Sequence, residues 1–451
     1  MATAYMSRTL EAATSRKICT FSAWIKRGKL GGNYVLFGGG DSIARYAFID
    51  FNVADRFFYL SATSDATDNA MVSNRRFRDT AGWYHIVYAM DTTQAAEADR
   101  AKLYVNGVFD TDPSNEQTGT TIAQDYELQW TYTGDTQLVG KYPIASDYWS
   151  GIMSHVYYVD GTALTPSTFG EVDATSGIWK IKTAPTGFSY GNQGFCILKD
   201  SNTGTDSSGN GNNFTTTNTI TTTVDSPSNN YATLNPLDNY YQAVTFSNGN
   251  TTIAKPASPD NTAPSTSTLG VSSGKWYWET KCAVGATASW LIGIMSTQVT
   301  AAGNYELGKY ANDYAYSAVD GDIRTDSAET SYGNTYAAGD IIGVALDLTN
   351  NKLYFSKNGT WQDSGDPTSG ATGTGAISIT TPASTSLANY FPAHSFWSGT
   401  GTATTNYNFG NGYFGTTAIT SAGANTGSGL FEYDVPSGYL ALNTKNIATD
   451  G

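Results

Sequence analysis

Residues 339–361, Gly-Asp-Ile-Ile-Gly-Val-Ala-Leu-Asp-Leu-Thr-Asn-Asn-Lys-Leu-Tyr-Phe-Ser-Lys-Asn-Gly-Thr-Trp, constrain the fold of this chain more than any other stretch. Two apolar strands flank a polar turn at 349–351, and a second turn follows at Asn358-Gly359. Asn-Gly accepts the positive φ angles of a tight hairpin, so that dipeptide between strand residues is a strong hairpin signal. The rest of the chain agrees. Its 47 Gly, 30 Tyr and long Ser/Thr/Asn stretches describe an all-β protein with many turns. Helix-forming runs of Leu, Glu, Lys and Ala are nearly absent.

Only 14% of the 451 residues are Asp, Glu, Lys or Arg, and 40% are apolar, so the chain can build real cores rich in aromatic rings. The length suits two or three domains. The 25 basic and 39 acidic residues leave a net charge of −14. Such a surface repels a phosphate backbone, so nucleic acid is not an expected partner. Membrane insertion is not expected either, since no stretch approaches the ~20 apolar residues of a spanning helix. Cys19, Cys196 and Cys282 are odd in number and far apart, which makes neither a disulfide framework nor a metal site. Each is expected as a small buried apolar residue. The start, Met-Ala-Thr-Ala-Tyr-Met-Ser-Arg, has neither the basic end nor the apolar run of a secretory signal.

The first half reads as one sandwich. Strands are expected at 18–25, at 34–37 before a Gly38-Gly-Gly40 turn, and at 46–51 with 56–60 as a hairpin. In 82–90, period-two alternation puts Trp83, His85, Val87 and Ala89 on one face. Residues 102–107 end in another Asn-Gly turn, and Gly151 to Val159 closes the sheet. Thr165-Pro166 reads as the start of a short helix near Phe169. Phe21-Ser-Ala-Trp24, Trp83-Tyr-His85, Leu103-Tyr-Val-Asn-Gly107 and Gly151-Ile-Met at the head of a strand occur in order at workable spacing. This resembles a laminin G-like, or concanavalin A-like, domain over about 18–170. In the second half, Gly274-Lys-Trp-Tyr-Trp-Glu279, Trp290-Leu-Ile-Gly-Ile294 and the 339–361 hairpin closely resemble the core strands of a SPRY domain. That resemblance implies a β-sandwich that binds partners through loops and does no chemistry.

The stretch between is polar: Asp206-Ser-Ser-Gly-Asn-Gly-Asn-Asn, a Thr-rich run to Thr223, then Asp225 to Pro236. Composition alone suggests a linker. However, Asp206 to Asn212, Asn230-Tyr-Ala-Thr-Leu-Asn-Pro236 and Phe431 to Thr444 resemble segments of phage structural proteins that join a laminin G-like domain to a SPRY-like one. The expected architecture is all-β: two antiparallel β-sandwiches (jelly rolls), concanavalin A-like and SPRY-like, joined by an ordered polar bridge. Its parts are 1–17 as a docking segment or an added edge strand, a laminin G-like sandwich at 18–198, the bridge at 199–235 wrapped on that sandwich, and a SPRY-like sandwich at 236–451 whose first residues are read from near Tyr231.

A catalytic constellation is hard to assemble from these residues. His85 and His155 sit inside strand patterns and His394 follows Phe391-Pro-Ala, so all three read as core or turn histidines. Concanavalin A-like folds include retaining glucanases, which need two carboxylates about 5–5.5 Å apart facing one groove. Glu171-Val-Asp173 is expected after a turn rather than on a strand, and Asp320-Gly-Asp322 in a turn. Neither meets that requirement. Asp200, Asp206, Asn210 and Asn212 offer oxygen ligands that calcium could use, although Asx-rich turns usually bond their own backbone. Sugar rings stack on aromatic faces, which singles out two clusters. These are Tyr126, Trp130, Tyr132, Tyr142, Tyr148 and Trp149, then Tyr305, Tyr310, Tyr314 and Tyr316. The resemblance implies a tailed-phage virion protein, made in the host cytoplasm and released by lysis. It would be a homo-oligomer, with a trimer as the expectation, contacting host surface polysaccharide or other virion proteins. A capsid decoration protein and a polysaccharide depolymerase are the alternatives.

Overall fold

The computed structural model describes residues 3–450 apart from 65, 111–112, 115–120, 201, 241–243, 256–261, 263, 286–289, 300–304, 398–400, 421, 426 and 428. The chain divides into two compact units, Met1–Thr222 and Thr223–Gly451.

In the first unit an antiparallel sheet of eight strands runs, in spatial order, Pro113–Ser114, Ala66–Arg76, Arg56–Thr63, Arg45–Phe51, Tyr34–Ser42, Thr136–Val139, Tyr5–Thr9 and Thr215–Thr217. A six-stranded sheet runs Phe195–Ile197, Gly151–Asp160, Ile18–Arg27, Tyr84–Asp91, Ala101–Val105 and Val108–Phe109. Alternation along the strands sends Phe21, Ile25 and Tyr88 from the second sheet into one core with Phe37, Ile49 and Tyr59 from the first. The opposite face of the six-stranded sheet is also buried, with Val87, Tyr157 and Val159 against Phe169 and Cys196. All three cysteines are buried and free.

The second unit repeats the layering. Lys275–Val284 lies centrally in a nine-stranded sheet between Ala403–Asn408 and Ile341–Asp347, and the latter pairs with Lys352–Lys357. A six-stranded sheet runs Ser265–Thr266, Phe391–Phe396, Trp290–Met295, Asp313–Ser317, Asp322–Thr325 and Ala328–Ser331. Trp276, Trp278, Val344 and Leu346 of one sheet pack with Ile292, Ile294 and Tyr316 of the other. Both Asn-Gly turns form as read: Asn106 and Gly107 have φ of 49° and 80°, and Asn358 and Gly359 the same values. Thr165-Pro166 opens the short 3₁₀ turn Pro166–Thr168.

Three expectations need correction. Gly38–Gly40 is not a turn but part of the strand Tyr34–Ser42. These glycines are needed for close approach: a Cβ on Gly39 would lie 2.9 Å from the Trp130 Cβ, and one on Gly38 3.0 Å from the Pro143 ring. The segment 1–17, expected as a docking segment or an added edge strand, contains a strand, Tyr5–Thr9, which is not an edge but is paired on both sides. Arg8 fixes it, donating from Nε to Gln137 Oε1 at 2.7 Å while its guanidinium lies over Phe195 and Phe214. Finally, the polar stretch 199–235 is divided between the units. Thr215–Thr217 is an edge strand of the first unit, whereas Tyr231 and Leu234 are core residues of the second. Among the described residues, no helix is long and apolar enough to cross a membrane.

Candidate recognition surfaces

Four of the ten aromatic candidates are core residues and offer no ring face to a ligand. Trp130 is fully buried against Phe37 and Tyr59, and Trp149 lies beside Phe51. Tyr314 and Tyr316 point inward because strand alternation leaves the outer face to Asp313, Ala315 and Ser317. The Tyr316 hydroxyl donates to the Asn334 carbonyl, which meets the polar demand of a buried phenol.

The remaining first-unit candidates are half-buried but engaged. Tyr126 Oη shares a 2.8 Å hydrogen bond with Ser61 Oγ. Tyr132 is approached by two guanidiniums, Arg16 at 3.2 Å and Arg45 at 4.1 Å from the ring centroid. Tyr142 packs edge-on to Phe48 at 4.4 Å, capping the outer face of the eight-stranded sheet. Tyr148 lies 6.1 Å from Tyr5, over which the Lys141 ammonium sits at 4.7 Å.

The four proposed calcium ligands do not converge on an open site. Asp206 Oδ1 accepts from the Cys196 and Ser208 amides, and its Oδ2 accepts from Ser208 Oγ and the Asn212 amide. A carboxylate has about four lone-pair sites, and all are taken. The Asn210 and Asn212 side chains donate to the Gly194 carbonyl, stapling the loop to the strand beside it. Asp200 is exposed and pairs with Lys199 at 3.6 Å. The loop is an Asx-rich turn that satisfies its own backbone.

The second unit gathers a surface that sequence spacing only half disclosed. On the outer face of its six-stranded sheet, Leu291, Met295 and Ala315 are covered by Val299 and Leu307, with Tyr305, Tyr310 and Trp397 half-buried at the margin. The Tyr305 and Tyr310 rings stack at 6.0 Å with an interplanar angle of 28°. Trp397 carries the Arg324 guanidinium on its face at 3.6 Å. Arg324 Nη2 also donates to Asp320 at 2.8 Å and pairs with Glu329 at 3.1 Å. Register explains the grouping: Arg324 lies opposite both Ala315 and Glu329, so the three share one face. Asp322 joins Asp320 and Glu329, with one oxygen of each within 4.8 Å of the others. Trp397 and Arg324 were not legible as site residues, because they are 73 positions apart (397 − 324) and belong to no shared motif.

No catalytic pair emerges from these groups. Desolvation opposes it, but hydrogen bonds from Ser317, the Asp322 amide and Arg324 hold the Asp320 carboxyl below its ordinary value, which disfavours a general acid. Glu171 lies within the strand Gly170–Val172, contrary to expectation, yet it is exposed and, with the half-buried Asp173, pairs with Lys180. Burial lowers His85 and His394 to about 3 and His155 to about 4. His85 accepts from Trp179 Nε1 at Nδ1 (3.0 Å), so its own proton sits on Nε2 and is donated to Ser22 Oγ at 2.9 Å. It is a satisfied core histidine stacked on Trp24.

Comparison with known families agrees with the two folds. The model of the concanavalin A-like lectin/glucanases superfamily matches residues 3–168, and that of the SPRY domain matches 275–407. The chain therefore carries a concanavalin A-like domain followed by a SPRY domain. Among solved structures it is similar to the SPRY domain of human HERC1, at 16% identity, covering 39% of this chain and 96% of that one, with a TM-score of 0.30. A further human SPRY domain is 15% identical over 36% of this chain and 93% of that one, at 0.26. Stonustoxin is 20% identical over 39% of this chain and 27% of its own, at 0.27. No curated protein matches the sequence.

Proposed function

We propose that this protein is a non-catalytic recognition component of a tailed-phage virion that holds host surface polysaccharide on the Tyr305–Tyr310–Trp397 face of its SPRY domain. It would serve in a tail fibre, a tail-associated part or the capsid surface, as a homo-oligomer. The observation that carries the reading is the stacked, half-buried Tyr305–Tyr310 pair beside Trp397 and the Arg324 cluster. Aromatic faces take the apolar side of a sugar ring, and the carboxylates of Asp320, Asp322 and Glu329 accept from its hydroxyls. The virion assignment is supported by the phage-like segments 206–212, 230–236 and 431–444. Symmetric assembly suits such an appendage, because several weak sugar contacts then act together.

A second reading, decoration through contacts with virion proteins alone, is favoured by an exposed apolar group in the first unit. Val108, Phe109, Val172 and Ile178 are exposed, and Trp179 joins their two hairpins by packing on Gly107 and Gly170. The test is incubation of the purified protein with a panel of bacterial surface polysaccharides, with and without calcium, measuring retention and released reducing sugar. Retention without release is expected, and Tyr305→Ala should weaken it about tenfold, the loss of one ring stack. No retention on any polysaccharide would favour decoration, and sugar release would identify a depolymerase.

A further inference from the structure

Within the second unit, the outer face of the nine-stranded sheet carries Tyr277, Ala345 and Tyr354, and the stretch 429–441 lies across it. Phe431 meets Tyr277 edge-on at 5.0 Å, and Val435 and Tyr439 complete the apolar contact. The stretch is fastened at both ends. The Leu430 amide donates to the Gly410 carbonyl at 2.9 Å, and Leu440–Ala441 pairs in parallel with Trp276 and Tyr277. Between those ends, the Glu432 and Tyr433 amides donate to Glu279, each at 2.8 Å. Glu279 is fully buried on the same strand, and its two oxygens also accept from Asn408 Nδ2 (3.3 Å) and Tyr277 Oη (3.2 Å). Gly343 lies opposite Glu279, and a Cβ there would come within 2.7 Å of Tyr277 Oη, so this glycine leaves room for the contact.

We propose that residues 429–441 form a strap whose grip on the sheet is set by the ionisation of Glu279. The site satisfies both forms of the carboxyl. Ionised, it accepts four donors. Neutral, it donates from one oxygen to Tyr277 Oη, whose own proton turns away, and both strap amides keep an acceptor. The titratable groups around it include Tyr277 beside it and Tyr433 on the strap; Asp434 acts on Tyr277, and Glu432 and Asp340 act on Tyr433, with the Glu432 carboxylate held by Thr420 and Asp340 paired to Lys357 at 3.2 Å.

Burial raises the Glu279 carboxyl to about 7, against hydrogen bonds that pull it down. With the strap lifted, the group meets water and returns towards its ordinary 4.5. The closed strap thus binds the proton more tightly than the open one, so closure strengthens as pH falls from above 7 towards 4.5 and is weakest above 7. Lifting it would bare the aromatic face of Tyr277 and Tyr354.

Hydrogen exchange on the full chain, read at the Glu432 and Tyr433 amides from pH 5 to 8.5 and corrected for the intrinsic rate, tests this. Protection about tenfold or more higher at pH 5.5 than at pH 8 is expected, with amides of Ile341–Asp347 as the control for global opening. In Glu279→Gln the step should vanish. Flat wild-type protection, a step of opposite sign, or a step that persists in the variant would each overturn the proposal. The wild-type titration decides the matter even if the variant does not fold.

Discussion

At the scale of single residues, burial separates aromatics that hold the fold from those free to recognise. Trp130 fills the first core between Phe37 and Tyr59, so Trp130→Ala should cost about 3–5 kcal/mol in chemical denaturation. A loss below about 1 kcal/mol would mean that the site collapses around the cavity. Tyr305→Ala should instead change polysaccharide retention more than stability. Gly343 makes a sharper case, because its replacement adds only a methyl group. Gly343→Ala would place that methyl 2.5 Å from Ser356 Oγ and 2.7 Å from Tyr277 Oη, for an expected loss of about 1–3 kcal/mol. Nothing in the local sequence marks that glycine, which looks like any other in an apolar strand. Its role follows from what the neighbouring strands bring beside it.

Elements show a clearer division between what was readable and what was not. The hairpin at 341–357 and both Asn-Gly turns were legible because their chemistry is local: alternating apolar residues and a dipeptide that tolerates positive φ. Gly359→Ala tests this, since φ is 80° and the new methyl would lie 2.6 Å from Tyr433 Cδ1. About 1–3 kcal/mol should be lost, seen as a lower thermal midpoint. The Gly38–Gly40 run misled for the same reason: local chemistry reads a turn, whereas Pro143 and Trp130, about a hundred residues away, require a strand without side chains. The Asp206 loop is a third kind of case. Its residues suit either a cation or a self-bonded turn, and the four donors at Asp206 decide for the turn. Chelation with EDTA should therefore leave the first unit's thermal midpoint unchanged, and a drop would restore calcium to that loop.

For the whole molecule, the buried titratable groups predict unequal responses of the two units to acid. His85 and His155 in the first unit are held neutral by burial, at about 3 and 4. The unfolded chain protonates them near 6.5, so stability falls as pH drops below that value. Asp50, raised by burial, acts the other way in that unit. In the second unit, His394 at about 3 is opposed by two carboxyls, Glu279 and Asp313, each raised to about 7 by burial. Those two add stability as pH falls from 7 towards the ordinary carboxyl range. Calorimetry at pH 7.5 and 5 should thus show the first unit's transition falling relative to the second's, and the reverse order would contradict the burial argument. The sequence by itself determined the all-β class and the hairpins, because alternation and turn chemistry act between near neighbours, while the two sandwich types and their order came from the resemblance of its ordered motifs to known families. Only the tertiary structure decided which rings face solvent, that Trp397 and Arg324 join Tyr305 and Tyr310, and that Glu279 holds a strap about 150 residues away. Those contacts depend on strand register and sheet order, which bring together residues that no sequence window spans.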